Sequence, residues 1–103
     1  MAIPIRCISL QRCTQRRVRF DAHMRALGLD FSFFDAVDGR ALCAEALAVA
    51  TAARRPYFSR AMTPGEIGCY QSHVALYAET VRTGAPAMVI LEVDAMVAPA
   101  LTV

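Results

Sequence analysis

Two carboxylates one residue apart, Glu92 and Asp94 on either side of Val93, follow the apolar run Ala87-Met88-Val89-Ile90-Leu91. In extended chain, residues i and i+2 point the same way, so both acids can face one cation while Val93 packs inward. Hard divalent ions such as Mg²⁺ or Mn²⁺ take oxygen from one or two carboxylates and complete their shell with substrate phosphates. That arrangement suits a diphosphate leaving group. Two acids after a strand are equally the mark of a solvated strand end, and spacing alone leaves both readings open.

Three other segments carry groups of chemical interest. After Leu10 comes Gln11-Arg12-Cys13-Thr14-Gln15-Arg16-Arg17, a loop entering a helix whose N-terminal amides and dipole favour an anion. Arg12 and Arg16 there can grip phosphate, or can be exposed arginines of an ordinary helix start. After Phe34, Asp35 and Asp38 with Gly39 either accept hydrogen bonds from a ribose or base, or shape a tight turn. Ser72 and His73 are adjacent on a helix and therefore point about 100° apart, which rules out a nucleophile-base pair between them. Either can still contact phosphate or sugar hydroxyls, or serve the core. Cys69 and His73 stand at i, i+4 but give only two ligands, too few to close a zinc site.

The elements that must position these groups follow from the periodicity. Residues 3–10 are β-branched and apolar, with Pro4 tolerable at a strand's beginning. Thr14 is expected to cap a helix reaching Leu27, with Phe20, Met24 and Leu27 forming its buried stripe and Gly28 ending it. A short strand is expected over 31–34, a turn over 35–40, and a helix from Ala41 to Ala53 stopped by Arg54-Arg55-Pro56. Residues 55–62 read as a surface loop. Thr63-Pro64-Gly65-Glu66 is a capping box with Pro at the first helical position. Ile67, Tyr70, Val74, Tyr77 and Val81 are the expected buried face of the helix that follows, which Gly84 and Pro86 terminate. The run 87–91 reads as a strand covered by helices on both faces. The order βα, βα, α, β implies an α/β fold with a mostly parallel sheet, and in such sheets ligands bind beyond the carboxyl ends of the strands, here after Leu10, Phe34 and Leu91.

With 103 residues the chain makes one small domain, and 56% hydrophobic residues against 19% charged leave apolar surface seeking a partner: a second copy, a membrane face or a further part of the same fold. The net charge of +2, with all 11 basic residues arginine, is too mild for a nucleic-acid binder but suits phosphate. Four cysteines without metal-ligand spacing fit reduced thiols. No stretch approaches a membrane span and the first residues lack a secretory pattern, so the expected location is the cytoplasm.

Ile8-Ser9-Leu10-Gln11-Arg12 with Arg16-Arg17, Phe33-Phe34-Asp35-Ala36-Val37-Asp38-Gly39-Arg40, Thr63-Pro64-Gly65-Glu66-Ile67-Gly68-Cys69 with Ser72-His73, and Val89-Ile90-Leu91-Glu92-Val93-Asp94-Ala95, in this order, resemble glycosyltransferases of family 25, the bacterial lipopolysaccharide-decorating enzymes. The resemblance covers essentially the whole chain. It implies a partial GT-A, Rossmann-like fold, with residues 1–103 forming the N-terminal, nucleotide-sugar-binding half of a domain that normally runs well beyond the acidic strand. It implies transfer of a sugar, usually galactose, from a UDP donor to a lipopolysaccharide or other glycan, or lipid-linked glycan, with peripheral attachment at the inner face of the membrane. Donor contacts fall on Leu10, Arg12, Arg16, Asp35, Asp38, Gly39, Ser72 and His73, and a divalent metal, Mn²⁺ or Mg²⁺, on Glu92 and Asp94. The family's acidic motif is usually Glu-Asp-Asp, and Val93 takes its middle place. No general base is identified in the chain. The competing expectation is a catalytically inactive remnant acting as an oligomeric or partner-binding module.

Overall fold

The computed structural model describes residues 3–54 and 63–95; the expected surface loop over 55–62 and the apolar segment 98–103 lie outside the described residues. Three short strands, β1 (Ile5–Ser9), β2 (Ser32–Asp35) and β3 (Val89–Glu92), form one sheet in the order β2-β1-β3 with both pairings parallel. Helix α1 (Thr14–Ala26) joins β1 to β2. A 3-10 turn at Gly39–Ala41, α2 (Ala44–Arg54) and α3 (Pro64–Thr83) lie between β2 and β3. The chain is therefore α/β, a small parallel sheet flanked by helices, as a partial Rossmann-like fold requires. No helix among the described residues is long and apolar enough to cross a membrane.

β1 is the central and most buried strand, with Cys7, Ile8 and Ser9 all buried. This corrects the expectation for the 87–91 run. β3 is only half-buried and, among the described residues, has a neighbour on one side. One face of the sheet packs on α1, where Cys7, Phe20 and Met24 form the core with Ile5, Leu27, Leu29, Phe31, Phe33, Leu91 and Val93 around it. Phe20, Phe31 and Phe33 meet edge-on or tilted, with centroids 4.9–6.1 Å apart, the arrangement that aromatic quadrupoles favour. On the other face Arg6 of β1 pairs with Glu79 of α3.

The helix ends follow their local chemistry. Gly28, at φ 69°, closes α1 in a Schellman motif, its amide bonded to the Arg25 carbonyl and that of Leu29 to Met24. The start of α1 differs from expectation: Cys13, not Thr14, is the cap residue and no side chain caps the helix. α2 begins at Ala44 rather than Ala41, because the Asp38 carboxylate accepts the Arg40 amide and tightens Gly39–Ala41 into a 3-10 turn first. The capping box of α3 is complete, with Glu66 N–H donating to Thr63 Oγ1 at 3.2 Å and Thr63 N–H to Glu66 Oε1 at 3.0 Å. Gly84 at φ 72° ends it.

Of the five residues expected to form the buried face of α3, Ile67 alone is buried. Ile67, Gly68, Ser72 and Leu76 are buried, whereas Tyr70, Val74, Tyr77 and Val81 are 39%, 42%, 56% and 82% exposed. Small residues win the inner face because there α3 meets the chain after β2 backbone to backbone. A Cβ on Gly39 would sit 2.5 Å from the Pro64 carbonyl carbon, and one on Gly68 2.8 Å from the Gly39 amide nitrogen.

Candidate functional site

The carboxyl ends of all three parallel strands open onto one cleft of about 930 Å³. This is where the strand-end rule for α/β sheets places a ligand. Ser9 and Leu10 after β1, Ala36–Gly39 after β2, and Glu92, Val93 and Asp94 at the end of β3 all line it.

The cleft wall carries cationic groups. Cys13, Thr14, Gln15 and Arg16 bring the start of α1 to the wall. That first turn has no side-chain cap and no acidic residue, so its free amides and dipole are available to an anion. Arg12, Arg16, Arg19 and Arg40 also line the cleft. Arg12 forms an ion pair with Asp38, while Arg16, Arg19 and Arg40 make no ion pair among the described residues.

The wall also carries the carboxylates Glu92 and Asp94. β3 stops at Glu92, and Val93-Asp94 form a turn closed by the Ala95 amide on the Glu92 carbonyl at 2.9 Å. The extended i, i+2 geometry expected for Glu92 and Asp94 is therefore replaced by a turn, yet both acids still line the cleft while Val93 packs on the core. Cys69 Sγ lies 3.5 Å from Glu92 Oε1 as a donor. The Cys69 thiol is pushed above its ordinary value by burial first, and then by the hydrogen bond to Glu92 and that carboxylate's charge. No group of three or more His, Cys, Asp or Glu side chains suited to a metal occurs among the described residues. Two carboxylates at the edge of an open cleft match an ion such as Mg²⁺ or Mn²⁺ that keeps most of its shell for water and phosphate. They do not match a closed zinc site.

Of the residues singled out in the sequence, Leu10, Arg12, Arg16, Asp38, Gly39, Glu92 and Asp94 are brought together on the cleft wall. Asp35, Ser72 and His73 do not line it. Asp35 Oδ1 accepts from Arg17 Nη2 at 2.7 Å. Ser72, fully buried, accepts the Val37 amide at 2.9 Å and donates to the Gly68 carbonyl at 2.7 Å. His73 Nδ1 lies 2.9 Å from the Cys69 carbonyl, which requires the proton on Nδ1 and leaves Nε2 as the acceptor.

Arg17 is the residue that sequence reasoning passed over as a site residue. Its Nε donates to Ser9 Oγ at 3.1 Å and its Nη2 to the Ser9 carbonyl at 2.7 Å, while the guanidinium lies 4.8 Å from the Phe33 ring centre. The signal was present: position 17 extends the stripe of Phe20, Met24 and Leu27 at helical spacing, so an arginine there must turn inward and find partners.

Comparison with known proteins bears on what this cleft serves. The family model described as glycosyltransferase family 25 (LPS biosynthesis protein) matches residues 2–102. A protein of Anopheles gambiae named glycosyltransferase 25 family member is 36% identical, covering 84% of this chain and 16% of its own length. Its Aedes aegypti counterpart is 37% identical over 84% of this chain and 15% of its own. A Homo sapiens protein named inactive glycosyltransferase 25 family member 3 is 33% identical over 84% and 16%. The chain thus spans about one sixth of the length of these curated relatives.

Proposed function

Because the chain belongs to glycosyltransferase family 25, we propose that it provides the donor side of a sugar transfer, binding a UDP-sugar, with galactose as the sugar, for delivery to a lipopolysaccharide or other glycan acceptor. The observation that carries this reading is the composition of the cleft at the strand ends, lined by an uncapped helix start and arginines together with the carboxylates Glu92 and Asp94. A nucleoside diphosphate with its counter-ion has the complementary pattern. The amides of α1 and the Arg12 and Arg16 guanidinium groups hold phosphate oxygens. The wall formed by Leu10, Asp38 and Gly39 orients the nucleoside, and Ser72 supports that wall through the Val37 amide. Glu92 and Asp94 hold Mn²⁺ or Mg²⁺, which when bound offsets the charge that develops on the departing diphosphate. No residue of the chain is assigned as the base that deprotonates the acceptor hydroxyl. A lipid-linked acceptor would place the protein at the inner face of the membrane.

The test is ligand-linked stability. UDP with Mn²⁺ at a hundred times its Kd should add about 2.7 kcal/mol to the folded state, raising the melting temperature, and Glu92→Gln with Asp94→Asn should remove the Mn²⁺-dependent part. No shift at millimolar UDP would sink the proposal.

A second reading has its own support. The rat, mouse and human relatives are named inactive or probable inactive, and α3 exposes Tyr77 and Val81, so a non-catalytic module that pairs through α3 is the alternative. Sedimentation velocity separates the two, since a tight dimer indifferent to UDP would favour the module.

A further inference from the structure

Residues 36–38 link β2 to the 3-10 turn without regular structure, yet each residue from Asp35 to Gly39 is fixed from outside. The Asp35 carboxylate takes Arg17. The Ala36 amide donates to the Ser9 carbonyl at 2.9 Å, the same oxygen that accepts Arg17 Nη2 at 2.7 Å. The Val37 amide donates to Ser72, Asp38 pairs with Arg12, and Gly39 is pressed against Pro64. One of these five anchors is the Arg17 guanidinium, and the acceptor of a second, the Ser9 carbonyl, is held by the same group.

We infer that Arg17 is a positioning residue which holds 35–39 as a preformed wall of the cleft, while its neighbour Arg16 is a direct ligand contact. The inference rests on the donor-site reading for its functional consequence but not for its structural content. The two arginines differ in what they face. Arg16 is exposed, lines the cleft and makes no ion pair among the described residues. Arg17 lies behind the wall, its side chain 19% exposed, donating to Ser9 and Asp35. Its planar fork reaches the ends of β1 and β2 together, which a lysine cannot do. A wall held in place before the ligand arrives avoids an ordering cost on binding, so loosening it should weaken affinity although Arg17 touches no ligand.

The test compares Arg17→Lys, Arg16→Ala and Met24→Ala, the last a core change on the same helix with no bond to the wall. Native-state hydrogen exchange is read at the Ala36 and Val37 amides relative to those of Cys7 and Ile8, and the Kd for UDP with Mn²⁺ by calorimetry. Arg17→Lys should lower the relative protection of Ala36 and Val37 about tenfold, the loss of one charge-assisted hydrogen bond, and weaken UDP binding by a similar factor. Arg16→Ala should weaken UDP binding and leave those amides unchanged. Met24→Ala should lower all protection together, with Kd within about twofold where it is folded. Uniform or unchanged protection in Arg17→Lys overturns the inference. If the parent protein ignores UDP, the donor reading fails, while the amide result still decides what Arg17 does. Should Arg17→Lys not fold, Asp35→Asn, which keeps an acceptor but loses the charge, should show the same local pattern at about threefold, and its absence is equally decisive.

Discussion

The contact between α3 and the chain after β2 can be tested with one substitution made twice on the same helix. Gly65 and Gly68 both lie in the first turns of α3. A Cβ on Gly65 would meet no atom within 4 Å, whereas one on Gly68 would overlap the Val37 carbonyl oxygen and come 2.8 Å from the Gly39 amide nitrogen. Non-bonded heavy atoms rest at roughly 3.5–4.0 Å, so the wall must retreat by about 0.7 Å or more, and the obstructing atoms are backbone that cannot rotate away. Overpacking of this kind costs about 3 kcal/mol, the upper part of its usual range. The retreat also breaks the bond from the Val37 amide to Ser72, for about 1 kcal/mol more. Against this stands about 1 kcal/mol of helix propensity gained by alanine over glycine. Gly68→Ala should therefore destabilise by about 3 kcal/mol and lower the melting temperature by at least about 12 °C. Gly65→Ala should be neutral or stabilising by about 0.5 kcal/mol. Differential scanning calorimetry of the two variants decides it. A Gly68→Ala protein that melts at or above the Gly65→Ala protein would refute the close approach and the wall built on it.

Two further outcomes follow from the sheet. Arg6 and Glu79 pair with their side chains only 19% and 25% exposed, and Arg6 Nε has no hydrogen-bond partner among the described residues; Glu79→Ala should cost about 2 kcal/mol in urea unfolding, and Arg6→Met with Glu79→Leu should recover most of it, whereas a single-variant loss under about 0.5 kcal/mol would put the pair in the exposed class. The Cys7 thiol is pushed up from 9.0 to about 12, by burial above all, with Asp94 and Glu92 adding to the rise and Arg17 opposing it. It therefore keeps its proton in the folded state after the unfolded chain has lost it. Its contribution is complete below pH 9 and is lost as pH rises towards 12, at up to about 1.4 kcal/mol per pH unit; urea midpoints at pH 8 and pH 10.5 should fall further in the parent than in Cys7→Ala, and parallel falls would contradict the burial of the thiol.

Much of the fold was legible because its punctuation is local. Gly28, the Thr63 capping box and Gly84 each work through a backbone geometry or a cap bond decided within a few residues, so helix ends could be placed without knowing what the helices touch. Strand order could not. Residues 5–9 and 89–92 are both apolar, and nothing local says which of them is central. The inner face of α3 was misread for a related reason. Hydrophobicity points to Tyr70, Val74, Tyr77 and Val81, but a helix that approaches another backbone closely needs Gly68 and Ser72 there, residues that carry no apolar signal and, in the case of Ser72, bond back to the helix's own Gly68 carbonyl. Arg17 escaped notice because a charge in an apolar stripe reads as a solvated residue until partners such as Ser9 and Asp35 are seen.

The same logic bears on Val93, which replaces the middle acid of the family's usual motif. Its half-buried side chain packs against the cluster of Cys7, Phe20 and Met24 and also lines the cleft beside Glu92 and Asp94. A carboxylate at position 93 would set its charge against that apolar cluster, where desolvation is unfavourable, whereas valine keeps the contact. The reading as an inactive protein does not rest on this position. That reading stands on the names of the relatives and the exposed face of α3, and the cation reading stands on the two outer acids.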